Sequence, residues 1–294
     1  MPPLVFILLA AAAILHVLWN VLLKSSDDPL ATAARALGWG LLVATPLVAV
    51  AWWSSGRPGI SAEAWALAGA SAVVELCYFV FLSAAYRRGE LSMVYPTARG
   101  TAPLLAVLIG LVLLGERLPP AGYAGVALLI GGIWLVRRPA GSGPAVGFAL
   151  LTGVAIAIYS AIDRLGVLAA SPWLYGWALW LFTFILLRAW VRLLEVVRRP
   201  VPAGRPPPAP PDGGHGRTTA GRDLVVGAAM VGAWFLVLLA LSLAPLAAVA
   251  PLRESAIVLA AGWGVLRMGE REGAPLRVVG ALAVATGVVL VALP

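Results

Sequence analysis

The chain has 294 residues, 61% of them hydrophobic and only 12% charged, with a formal net charge of +8 and a mean hydropathy of +0.95. A soluble domain of this size could not bury so much apolar surface. One cysteine, Cys77, excludes an intrachain disulfide and a cysteine-based metal site, and two distant histidines argue against zinc. In chain order, apolar stretches predict ten transmembrane helices at about 3–23, 30–53, 63–85, 91–114, 120–137, 144–162, 172–194, 223–243, 246–267 and 275–293. The stretches are too long for barrel strands and lack their alternation, so the chain reads as an all-α integral membrane protein. The N-terminal stretch has no basic residues before it and reads as a membrane helix rather than a cleaved signal.

Most connections are short, such as Ser25–Pro29, Arg87–Glu90 and Arg137–Pro139, and force neighbouring helices antiparallel. The segment 198–222 differs, being rich in Pro, Gly and Arg, and it is expected to form a disordered loop. Cys77 falls inside an apolar stretch and is expected in the core.

The chain repeats itself. Arg99 aligns with Arg253, Gly115-Glu116-Arg117 with Gly269-Glu270-Arg271, Gly125 with Gly280 and Gly132 with Gly287. At an offset of 140, Trp19, Asn20 and Lys24 match Tyr159, Ser160 and Arg164. Two halves, 1–138 and 139–294, each of five helices, must enter the membrane from opposite sides. The expected architecture is therefore two inverted five-helix repeats with a site between them.

The repeat resembles the EamA-type half of the drug/metabolite transporter superfamily. The resemblance rests on Arg99-Gly100-Thr101-Ala102-Pro103, Leu114-Gly115-Glu116-Arg117 and the glycines from Gly125 to Gly132. The second copy departs from the pattern at Ile257 and Met268. His16, Trp19, Asn20 and Lys24 resemble the opening of one subgroup. The resemblance implies a ten-helix secondary carrier of small metabolites in a bacterial cytoplasmic membrane, without ATP use or covalent chemistry, and the chain is expected to be an exporter working by alternating access. The residues agree: there is no phosphate-binding loop and no hydrolase triad, and no cofactor is expected. The expected partners are a small-molecule substrate and the bilayer, not nucleic acid, since the basic residues sit mainly in loops.

Ionisable side chains at membrane depth are costly and mark functional sites. His16, Trp19, Asn20 and Leu23 recur at helical spacing and share one face. That face either lines a substrate path or ties helices by hydrogen bonds. Glu75, with Tyr78 near it, is a proton-coupling candidate, as is His16. Tyr95 and Arg99 stand four apart on helix 4, and Arg253 and Glu254 hold the related place on helix 9. Arg99 and Glu254 are expected to pair across the two-fold. Tyr159 and Trp234 complete the candidate site, which suits an amphoteric or aromatic metabolite or, equally, a charge-balanced scaffold around an apolar one. Arg35, Asp163 and Arg188 lie near the expected helix ends, where their side chains can reach the interface. The Gly-Glu-Arg turns read as hairpin caps, and glycines 125, 131, 132, 280 and 287 as packing contacts.

Basic residues are asymmetric. Loops after helices 1, 3, 5, 7 and 9, with their flanks, carry fifteen Lys or Arg, whereas the opposite face carries three, Arg57, Arg117 and Arg164. The positive-inside rule then puts both termini outside, whereas the resemblance implies both inside. Two rival readings remain, a membrane-embedded enzyme acting on lipid-linked substrates and a non-transporting partner subunit.

Overall fold

A computed structural model of the chain describes residues 1–89, 91–137, 143–197, 220–254 and 274–292. The described residues form ten helices and no strands: α1 (Pro3–Lys24), α2 (Pro29–Ser54), α3 (Ala62–Arg88), α4 (Leu91–Leu108), α5 (Pro120–Arg137), α6 (Pro144–Ala169), α7 (Pro172–Val197), α8 (Ala220–Leu243), α9 (246–254) and α10 (Ala274–Ala292). Helices are the form in which apolar segments can satisfy their own backbone in lipid. Five of them, α1, α2, α3, α6 and α8, are each long and apolar enough to cross a bilayer. The long Pro/Gly-rich segment falls outside the described residues up to 219, and its last three residues belong to α8.

Local sequence sets several ends. Asp28 accepts from the Leu30 and Ala31 amides at the start of α2, with Pro29 in the first turn. Ser61 does the same for the Ala64 amide of α3. Helix α4 stops earlier than its apolar run. It passes into a π-helical turn, Ile109–Leu113, then Gly115 adopts φ +63°, a conformation that favours glycine. That turn redirects Glu116. Its carboxylate accepts from the Leu246 and Ala247 amides, at 2.8 and 2.9 Å, and so caps α9 rather than its own hairpin. The second Gly-Glu-Arg copy, 269–271, lies outside the described residues.

The helices pack chiefly as α5 on α10, α3 on α6, α1 and α2 on α8, and α4 on α6, with α7 against α2 and α3. Glycines set the closest of these contacts. A Cβ at Gly132 would lie 2.6 Å from the Gly280 carbonyl oxygen, and one at Gly125 would lie 2.8 Å from that of Gly287. Gly131 is a correction: a Cβ there would meet nothing, so it plays no part in this interface. Cys77 is another, since it sits on the exposed face of α3 rather than in the core.

Candidate functional site

His16, Trp19, Asn20 and Leu23 are all buried on one face of α1, as their spacing requires. They do not share one role. His16 and Trp19 line a small cavity of about 20 Å³, together with Glu75, Tyr78 and Phe79 of α3, Tyr159 of α6, Trp180 of α7, and Met230 and Trp234 of α8. Asn20 does not line it. Its amide nitrogen donates to the His16 carbonyl at 2.8 Å, and its oxygen accepts from the Tyr86 hydroxyl at 3.0 Å. Asn20 is thus a tie between α1 and α3. His16 shares a 2.9 Å hydrogen bond between Nδ1 and the Ala12 carbonyl, so Nδ1 carries the proton and Nε2 of the neutral ring is left as an acceptor.

One fully buried acid is Asp163. It was expected near a helix end, but α6 continues to Ala169, so Asp163 sits inside the helix with no exposed surface. It accepts from the Ser71 hydroxyl at 2.6 Å, the Tyr175 hydroxyl at 2.8 Å and the Trp234 indole N–H at 3.0 Å. Those donors come from α3, α7 and α8, so one carboxyl joins four helices. Gly166, one turn along α6, leaves room for the Tyr175 ring, which a Cβ would overlap. Glu75 is one turn from Ser71 on α3 and accepts from the Thr183 hydroxyl of α7 at 2.8 Å. Both carboxyls are buried, and both have hydroxyl partners, as polar groups removed from water need. Arg35, near the start of α2 and partly exposed, meets Asp223 through its Nε at 2.9 Å.

The aromatic rings pack edge to face, apart from the tilted His16–Trp19 pair. Tyr159 lies between Tyr78, at 5.7 Å between centroids, and Trp234, at 5.1 Å. His16 meets Trp19 at 5.8 Å and Trp234 at 6.3 Å. The Arg253 guanidinium lies 5.3 Å from the Trp234 ring centre, within cation–π range. The expected ion pair is present, Arg99 Nη1 to Glu254 Oε1 at 2.8 Å. Arg253 shares the same oxygen at 3.0 Å, although adjacent helical residues diverge. Arg99, Arg253 and Glu254 are all buried. Tyr95 lies on α4, but its side chain is outside the described residues.

Sequence reasoning missed Ser71, Tyr175, Trp180, Thr183 and Met230, and discounted Asp163. The available signal was the spacing of Ser71 and Glu75, which puts both on one face of α3.

Six helices of this helical membrane protein, α1, α3, α6, α7, α8 and α9, bring acids, a base and aromatic rings together at its buried centre. That is the kind of interior a membrane transporter needs. Residues 3–138 match the EamA-like transporter family. Over that stretch the chain resembles a family of membrane transporters within the drug/metabolite transporter superfamily. No curated protein matches it significantly. A solved structure titled only "Crystal structure of protein" aligns over 98% of both chains, with a TM-score of 0.66 and 18% identity. That likeness extends along the chain and concerns the fold.

Proposed function

We propose that the chain is a ten-span secondary carrier that exports small metabolites across a bacterial cytoplasmic membrane by alternating access. Its two inverted repeats, 1–138 and 139–294, rock about the central cavity. The observation that carries this reading is the cavity lined from α1, α3, α6, α7 and α8 by His16, Trp19, Glu75, Tyr78, Tyr159, Trp180 and Trp234. A volume of about 20 Å³ has room for roughly one water. A metabolite therefore needs the halves to part, which is what alternating access supplies.

Three features support the inverted repeat. Replacing each helix by the one five places on turns the α3–α6 contact into α8–α1, and α2–α8 into α7–α3, all of which are present. The sequence repeat equates Gly125 with Gly280 and Gly132 with Gly287. In space Gly125 meets Gly287 and Gly132 meets Gly280, the crossed pattern of a two-fold contact. Finally, the matched cations Lys24 and Arg164 do matching work. Lys24 Nζ donates to the Tyr86 and Gly89 carbonyls at the end of α3, at 2.6 and 3.2 Å. Arg164 donates to the Leu241 carbonyl at the end of α8 and to Glu116. Each cation thus neutralises the negative end of a helix dipole, one in each half.

Substrate contact is assigned to His16, Trp19, Tyr78, Tyr95, Arg99, Tyr159, Trp234, Arg253 and Glu254, with Asn20 holding His16 in place. Glu75 and Asp163 are the proton-coupling pair, since each is buried and placed to exchange its hydroxyl donors for a proton. An amphoteric or aromatic metabolite fits acids and arginines flanking stacked rings. The test is flux of a metabolite panel in inside-out vesicles with an imposed proton gradient. Gradient-driven flux that Glu75→Gln and Asp163→Asn abolish is expected. Flux indifferent to both substitutions would remove the proton-coupling assignment, and no gradient-driven flux for any compound would overturn the carrier reading.

A further inference from the structure

The polar groups around the cavity are not equally engaged. The His16 Nδ1 proton is held by Ala12, Glu75 accepts from Thr183, and the Trp234 N–H is held by Asp163. Two indoles remain. Trp19 and Trp180, from α1 and α7, both line the cavity and are 3% and 4% exposed. Their Nε1–H groups are buried and find no hydrogen-bond partner among the described residues. Native interiors leave few such groups, and each calls for an explanation. An indole nitrogen is a donor only, so whatever satisfies it must accept.

We propose that Trp19 and Trp180 form an acceptor-binding subsite, which selects ligands presenting a carbonyl or carboxylate oxygen to the cavity. The proposal rests on the reading of this cavity as the substrate site, and it adds what that reading lacks, the chemical handle of the ligand. Polarity of this kind discriminates well. A ligand whose oxygen meets both N–H groups satisfies two buried donors, while one that offers only donors or a bare hydrocarbon leaves both unmet. The His16 Nε2 acceptor and the Glu75 carboxyl, on the same cavity, provide for a donor elsewhere on the ligand. The edge-to-face rings Tyr78 and Tyr159 flank its apolar part. The cavity must open for any such ligand, so the subsite acts when the two halves part.

Three probes of similar size separate the chemistries: benzamide with a neutral carbonyl, benzoate with a carboxylate, and benzylamine with donors only. Binding is measured by calorimetry on the full chain in nanodiscs, for wild type, Trp19→Phe and Trp180→Phe. Each variant keeps an aromatic ring and loses the N–H. Benzamide or benzoate is expected to bind, and the stronger of the two identifies the oxygen. Each substitution should weaken it by about two- to tenfold, the span of one hydrogen bond, and leave benzylamine unaffected. Should either variant fold poorly, the wild-type indole N–H proton resonances of these two tryptophans must still move downfield on adding the acceptor probe. Acceptor probes that fail to bind, that bind the variants as tightly as wild type, or that bind more weakly than benzylamine overturn the subsite. None of these results depends on flux, so a failed subsite and a failed carrier reading are separately visible.

Discussion

Replacing Asp163 by Asn tests the centre of the site in one substitution. The carboxyl accepts three donors, two on Oδ1 from Ser71 and Tyr175 and one on Oδ2 from Trp234. A carboxamide has the same shape but one acceptor oxygen and one donor nitrogen. Turned to keep the two hydroxyls, it points its NH2 at the Trp234 N–H; turned the other way, it faces both hydroxyls with a donor. Hydroxyls can rotate to accept, whereas an indole N–H can only donate and is fixed by its ring, so the second arrangement wins: the oxygen keeps Trp234, and the Ser71 and Tyr175 hydroxyl protons lose the acceptor they shared. The cost is about 1–3 kcal/mol. At about 2–4 °C per kcal/mol for a chain of this length, Asp163→Asn should melt roughly 2–12 °C below wild type in detergent. Tyr175→Phe removes one of those two hydroxyl donors. The double variant Asp163→Asn/Tyr175→Phe should therefore recover part of the loss, with a coupling energy of about 1–3 kcal/mol in a double-mutant cycle. Additive losses in that cycle would refute the hydrogen-bond account of Asp163.

Because Glu254 serves both Arg99 and Arg253, Glu254→Gln leaves two buried guanidinium groups without their shared carboxylate. It should cost about 3–5 kcal/mol and reduce the monodisperse fraction in size-exclusion chromatography more than Arg99→Gln does; equal losses would argue against the sharing. Glu116→Ala removes the cap of α9 and the Arg164 partner. A loss of about 0.5–2 kcal/mol in a thermal melt is expected, with Glu116→Gln milder. Gly132→Val forces a side chain against Gly280 and Val284 and should destabilise by about 1–3 kcal/mol, while Gly131→Ala next to it should be neutral or gain up to about 1 kcal/mol of helix propensity. The basic asymmetry predicts that the 55–61 connection faces outward. In a Cys77→Ser background, Gly59→Cys should react with an impermeant maleimide in intact cells, and protection there with labelling only after lysis would reverse the orientation.

Class and helix number were legible in the sequence, because they depend on local composition. Apolar runs of bilayer length must become helices whatever they pack against, since lipid offers their backbone no other partner. The stripe of His16, Trp19, Asn20 and Leu23 was legible for the same reason, because helical spacing alone puts it on one face. The pairing of Arg99 with Glu254 was legible through the repeat, which placed them at related positions. What the spacing could not say is which members of a buried face meet space and which meet protein: Asn20 is spent on Tyr86 and His16, while Trp19 borders a cavity.

Asp163 shows where local reading ends. The adjacent charges Asp163-Arg164 resemble a helix terminus, and only the packing of α3, α7 and α8 around that turn makes it an interior. Trp180 and Tyr175 carried no signal, since an aromatic residue in an apolar run looks alike whether it faces lipid or a site. The cap that Glu116 gives α9, 130 residues away in the chain, likewise depends on a π-helical turn and a left-handed glycine that aim it across the bundle. The sequence by itself determined that the chain is a bundle of membrane helices, because hydrophobic length is a property of the string. Only the tertiary structure decided that Asp163 is the hub, that Glu254 is shared by two arginines, and that two indoles border the cavity with no acceptor among the described residues. Hydrogen bonds between helices are fixed by how far and at what angle the helices approach, and no residue's identity contains that.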